Sequence, residues 1–274
     1  MMTPTQRHTY TGANGRKSLY ELSTSPAHQE LVVFVHGFMG FMDWGAWHLV
    51  RNFFTNAGFD FCRFNLTHNG GTPAHPIDFS DTEAFGQNTY SKELFDITSV
   101  LNHLESRHRT YQKIHLIGHS RGGGMAILAA QQWQQVSPLG QVCTWAAICD
   151  IARRFPKDDE LKQWKETGVR FVKNGRTLQD LPQFFELYAN FERNKARLDI
   201  KAAAKEIGKR LHIFHGDLDT SVPISEAYEL QEVSDAKVIE IHGADHVFGA
   251  VHPWDQDVLP PLLEELCGKT LREL

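Results

Sequence analysis

The sequence predicts an α/β fold, with a mainly parallel central sheet flanked by helices and a smaller helical insertion in the second half of the chain. Three observations carry this. Short β-rich runs alternate with helical patterns, as in strands joined by crossover helices. Several of those runs are almost continuously apolar, as strands covered on both faces must be. The alternation then stops over residues 151–206, where charges and aromatics dominate and no run reads as a strand.

In chain order, two weak runs at 8–11 and 18–22 fit an antiparallel hairpin on the turn Gly12-Ala-Asn-Gly15. Strand candidates follow at 31–35, 59–64, 114–117, 142–148, 211–214 and 237–241. Between them, residues 92–105 place Leu94, Ile97, Leu101 and Leu104 on one helical face, with Lys92, Glu93, Asn102 and Glu105 on the other. Further helices are expected over 44–56, from near Ser120, and from Pro260, because the pair Pro260-Pro261 suits a helix start and not an interior. Within the insertion, Asp180-Leu-Pro182 reads as a helix start. Phe184, Leu187, Tyr188 and Phe191 follow at helical spacing, either packing on the main domain or lining a pocket as a lid. Residues 1–150 and 207–274 thus form one core, and 151–206 a helical lid insertion.

Composition narrows the function. With 274 residues, 41% hydrophobic and 22% charged, the chain falls in the soluble globular class. A formal charge of −5 supplies no basic field for nucleic acid or an anionic membrane, so a small-molecule partner is expected. No apolar stretch reaches membrane-spanning length and the N-terminus has no apolar signal core, which points to a cytoplasmic location. The cysteines Cys62, Cys143, Cys149 and Cys267 are scattered, without metal-ligand spacing, and most of the 15 histidines are isolated. No metal or organic cofactor is expected.

Gly118-His-Ser120-Arg-Gly122 fits G-x-S-x-G between an apolar strand and a helix, where the pattern has mechanical meaning. A tight strand-to-helix turn leaves no room for side chains at the flanking positions and pushes the serine hydroxyl into the open. The plain alternative is that Ser120 caps the helix, which explains the serine but not the glycines. Phosphate-loop and dinucleotide spacings are absent. A nucleophilic serine needs a base and an acid to hold it. Beyond strand 211–214 comes His215-Gly-Asp-Leu-Asp219-Thr-Ser-Val-Pro223, and beyond 237–241 comes His242-Gly-Ala-Asp-His246. These are the strand ends where ligand sites of parallel sheets gather. After strand 31–35, the loop His36-Gly37-Phe38 can turn the Phe38 N–H toward a reacting carbonyl, with the Arg121 N–H as second oxyanion donor.

With these motifs in this order, the chain resembles the α/β-hydrolase superfamily from about Leu31 to Leu266. It is most similar to bacterial serine esterases of the feruloyl and cinnamoyl type and to serine aminopeptidase-like hydrolases. The resemblance implies an α/β-hydrolase fold with Ser120 as nucleophile, His246 as base and an acid in G-x-x-D-x-x-V-P. That pattern selects Asp219 and leaves Asp217 to organise the turn, as the reserve. His119 is expected to pack behind the turn. The loop after residue 64 lacks the family's usual arginine or aspartate, and His68 is read there as part of a turn stabilised by Asn69-Gly70. The expected activity is hydrolysis of a carboxylic ester with a small or medium acyl group, in a pocket lined by Trp164, Phe184 and Tyr188. A peptidase or amidase of the same fold and a non-catalytic ligand-binding protein are the alternatives.

Overall fold

The computed structural model describes residues 5–25, 29–107, 110–134 and 138–274. The chain opens with the hairpin β1 (Thr5–Thr11) and β2 (Lys17–Ser23). β3 (Glu30–Val35), α1 (Trp47–Asn56) and β4 (Asp60–Phe64) follow, then the short α2 (Thr82–Gly86) and the long α3 (Tyr90–Arg107). β5 (Lys113–His119), α4 (Arg121–Trp133) and β6 (Leu139–Trp145) complete the first half. The insertion holds α5 (Asp158–Thr167), β7 (Val169–Lys173), β8 (Asp180–Phe184), α6 (Glu186–Arg193) and α7 (Ile200–Ile207). β9 (Leu211–Gly216), α8 (Ser225–Ser234), β10 (Val238–Ile241) and α9 (Pro261–Leu271) end the chain.

Eight strands form one sheet in the order β1-β2-β4-β3-β5-β6-β9-β10. The pairings β1 with β2 and β2 with β4 are antiparallel, and all others in this sheet are parallel. Alternation within β3 explains the continuous apolar runs. Leu31, Val33 and Val35 pack on the side of α3, α4, α7 and α8, while Val32 and Phe34 face α1 and α9. Leu94, Ile97, Leu101 and Leu104 of α3 are all buried in the first of these layers. No helix among the described residues is long and apolar enough to cross a membrane.

Two details depart from the sequence reading. Strand β6 ends at Trp145, not 148, because Ala146 takes φ 51° and the chain turns out of the sheet there. The insertion is not strand-free. β7 and β8 pair antiparallel as a separate two-stranded sheet, so Asp180-Leu-Pro182 lies in a strand and the helix starts only at Glu186. An isolated hairpin has no inner pairing for Pro182 to break. Only Leu181 and Gln183 are buried in β8, which leaves no apolar run to read.

Candidate active site

Strand β5 meets α4 at Ser120, whose φ of 56° and ψ of −123° no ordinary L-residue adopts without strain. Its side chain makes no capping hydrogen bond, so helix capping does not account for the serine. Instead the backbone holds it: the Ser120 N–H donates to Trp145 O (2.8 Å), and Ser120 O accepts from Gly123 and Ile148 at 3.0 and 3.3 Å. The turn excludes side chains on both flanks. A Cβ at Gly118 would lie 2.3 Å from Gly122 O, and one at Gly122 would lie 2.3 Å from Val35 O.

Three strand ends converge above this turn. His246, beyond β10, places Nε2 3.0 Å from Ser120 Oγ and Nδ1 2.7 Å from Asp219 Oδ2, beyond β9. Burial alone would raise the Asp219 pKa, but hydrogen bonds from His215, His246 and the Val222 N–H outweigh it and hold the carboxyl well below the usual carboxylate range. Asp219 is therefore a pure acceptor. His246 must donate from Nδ1, and its Nε2 lone pair is left to accept from the serine hydroxyl. The other carboxylate oxygen takes the N–H groups of Ser221 and Val222 at 2.8 and 2.9 Å, which fixes its rotamer.

Asp217 bonds His242 Nδ1 at 3.2 Å and the Gly243 N–H, so it joins the ends of β9 and β10 and stays away from His246. Asp245 accepts only local N–H groups, from Val247 and Gly249. His119 donates from Nε2 to His246 O at 2.9 Å, behind the turn. Burial, aided by the nearby His246, lowers its pKa to about 3, so it stays neutral. His68 contacts Thr67 Oγ1, and Asn69 Oδ1 accepts from the Gly71 N–H in an Asx turn. His36 also stays neutral, with a pKa lowered by burial to about 4. It donates to Gly37 O and accepts from the Leu66 N–H, which ties the loop after β3 to the loop after β4.

Phe38 and Arg121 both line the cavity over Ser120, which measures about 520 Å³ and also includes His246. As the first residue of α4, Arg121 has no intrahelical acceptor for its N–H. Among the described residues neither this N–H nor that of Phe38 has a backbone partner. The Arg121 guanidinium lies 4.0 Å from the Phe38 ring centroid and bonds Glu93 at 3.2 Å, so one side chain braces both residues. A second cavity of about 190 Å³ opens on the other side, between Ser120, His246, Trp44 and Trp47. Among the described residues no group of three or more His, Cys, Asp or Glu is placed to hold a metal.

The three aromatics expected to line the pocket are not brought to the cavity over Ser120. Trp164 is 1% exposed, donates to Gln183 O and packs beneath the hairpin with Phe155 and Phe185. The Phe184 ring abuts Gly86, and Tyr188 stacks edge-on against Phe155. Their helical spacing was misleading because 180–184 is a strand, which sends Phe184 and Tyr188 off different elements. The residues that do reach the cavity from the insertion are Arg153, Arg154, Arg170, Val172 and Gln183. Sequence reasoning also missed His215. It is fully buried with Nε2 3.3 Å from Asp219 Oδ2, and the one available signal was its place at the end of an apolar strand, four residues before Asp219.

Residues 32–256 match the model of a family described as the alpha/beta hydrolase family. Among solved structures, a protein from Agrobacterium vitis S4 superposes with TM-score 0.75 at 18% identity, over 100% of this chain and 99% of the other. Est1E from Butyrivibrio proteoclasticus, solved with ferulic acid bound, gives 0.71 at 20% identity over 97% and 98% of the two chains. The esterase domain of a Rhodothermus marinus protein gives 0.62 at 19% identity over 90% and 91%. No curated protein matches the sequence.

Proposed function

This chain belongs to the alpha/beta hydrolase family, and from that premise we propose that it is a serine hydrolase cleaving carboxylic esters of small or medium acyl groups. One observation carries the reading: His246 bridges Ser120 Oγ at 3.0 Å and Asp219 Oδ2 at 2.7 Å, across three separate strand ends. In this reading Ser120 attacks the ester carbonyl as His246 Nε2 takes the hydroxyl proton, and ionised Asp219 stabilises the imidazolium. The N–H groups of Phe38 and Arg121 receive the oxyanion, each lowering the barrier by about 3 kcal/mol. His246 then passes its proton to the leaving alcohol, and water attacks the acyl-enzyme by the same route.

The ester preference is supported by the fold shared with Est1E and the Rhodothermus marinus esterase domain. A fluorophosphonate probe is expected to label Ser120 in the native protein and to leave Ser120→Ala unmodified. A folded protein whose Ser120 stays unlabelled would count against the reading. Parallel rates on p-nitrophenyl esters and aminoacyl anilides separate esterase from amidase, with faster anilide cleavage assigning the site to the latter.

A further inference from the structure

Four arginines, Arg121, Arg153, Arg154 and Arg170, line the larger cavity, and no aspartate or glutamate does so among the described residues. Three of the four are neutralised from behind. Arg121 pairs with Glu93 at 3.2 Å, Arg153 with Glu229 at 2.7 Å, and Arg154 with Glu226. Arg170 is different. It projects from β7 and has no carboxylate within ion-pair distance among the described residues. Its Nε donates to Gln183 Oε1 at 2.8 Å, and its guanidinium lies 4.3 Å from the Trp164 ring centroid. Glu160 of α5 acts on it only from longer range.

The fork is thus half-buried, oriented by an amide and an indole, and left with unused donors in the cavity that also holds Ser120. Arg154 adds a buried Nε with no partner. Holding a cation this way costs desolvation that distant Glu160 offsets only in part, and an anionic ligand would supply the missing charge.

We propose, building on the serine-hydrolase reading, that the preferred substrate is an ester bearing a carboxylate, which Arg170 receives while the scissile carbonyl lies at Ser120. Ile148, Val172 and Val222 in the same cavity suit the methylenes between the two groups. A single uncompensated cation matches a monoanion, and so a carboxylate in preference to a phosphate monoester with nearly two charges.

The test compares kcat/KM within matched pairs: 4-nitrophenyl monoglutarate against 4-nitrophenyl valerate, and 4-carboxyphenyl valerate against phenyl valerate. The anionic member of at least one pair is expected to be preferred about ten- to a hundredfold, mainly through KM. Arg170→Gln should bring that ratio toward unity, and Arg170→Lys should retain part of it. Valerate, a monoanion, should inhibit more strongly than inorganic phosphate. Equal rates within both pairs, a preference that Arg170→Gln leaves intact, or stronger inhibition by phosphate would each overturn the proposal. Turnover of the neutral esters would at the same time leave the serine-hydrolase reading standing. If instead Ser120 resists the fluorophosphonate probe and no ester is cleaved, calorimetric titration of glutarate onto the intact protein still decides the anion site. Saturable binding weakened by Arg170→Gln supports it, and absent binding refutes it.

Discussion

Beneath the cavity and above it, the protein positions polar groups by opposite means. Ser120 and Asp219 below are fixed largely by the main chain, and His246 is held between their side chains. Ser120 sits in a peptide turn pinned by three backbone hydrogen bonds, and two N–H groups lock the Asp219 carboxylate. Above, Arg170 and Gln183 lie on a two-stranded hairpin outside the main sheet and are held by each other and by Trp164. Main-chain geometry changes only when the fold changes, whereas a side-chain bracket can be altered one residue at a time. On the proposed function, the difference separates what fixes reactivity from what selects the substrate.

The sharpest way to test that separation is Ser120→Ala, expected to lower kcat by about 10⁶-fold while the melting temperature stays near that of the native protein. Next comes Asp219→Asn. It keeps the hydrogen-bond geometry but lets His246 take the wrong tautomer, and kcat should fall about 10⁴-fold with KM little changed. A loss no larger than that from an insertion variant would erase the distinction between the two regions.

Above the cavity, Trp164→Ala removes the buried ring that supports Arg170 and should cost about 3–5 kcal/mol of stability in denaturant unfolding. Fluorophosphonate labelling of the remaining folded molecules should persist, because none of Ser120, Asp219 and His246 rests on Trp164. Loss of labelling in folded protein would show that the two regions are not separable.

Acid offers the mildest perturbation. His36 and His68 have pKa values lowered by burial to about 4, and His119, by burial and His246, to about 3. Below the unfolded value near 6.5 the unfolded chain binds more protons at each of these sites, so stability falls as pH drops toward 4. Asp96, raised by burial to about 6, works the other way and offsets one of them. The net slope should be roughly 1–3 kcal/mol per pH unit between pH 6 and 4. None of the three histidines lies on the hairpin. A flat profile over that range would show that they do not stay neutral there.

The same division decided how much was legible in the sequence. A residue that must adopt φ 56° beside peptides 2.3 Å from any added Cβ leaves few choices of neighbour, so Gly118, Ser120 and Gly122 announce their turn. Parallel strands between two helix layers announce themselves by unbroken apolar runs. The hairpin does neither. Its strands alternate weakly, their inner face mixes Gln183 and Arg170 with Leu181 and Val172, and Pro182 imitates a helix start. Arg170 looked like any surface arginine, since its standing depends on which carboxylates are absent around it. His215 was hidden for a similar reason: its contact with Asp219 exists only once the intervening turn folds back.

The Ser120 peptide is hydrogen-bonded to Trp145 at the end of β6 and to Ile148 just past it, and the Ala146 N–H is bonded to Phe214 of β9. The strained serine is therefore tied to the end of β6, and β6 in turn to β9, at the carboxyl ends of three neighbouring inner strands. Backbone strain at φ 56° is thus held by hydrogen bonds from the interior of the sheet, and Ser120 should keep this posture for as long as those strands stay paired.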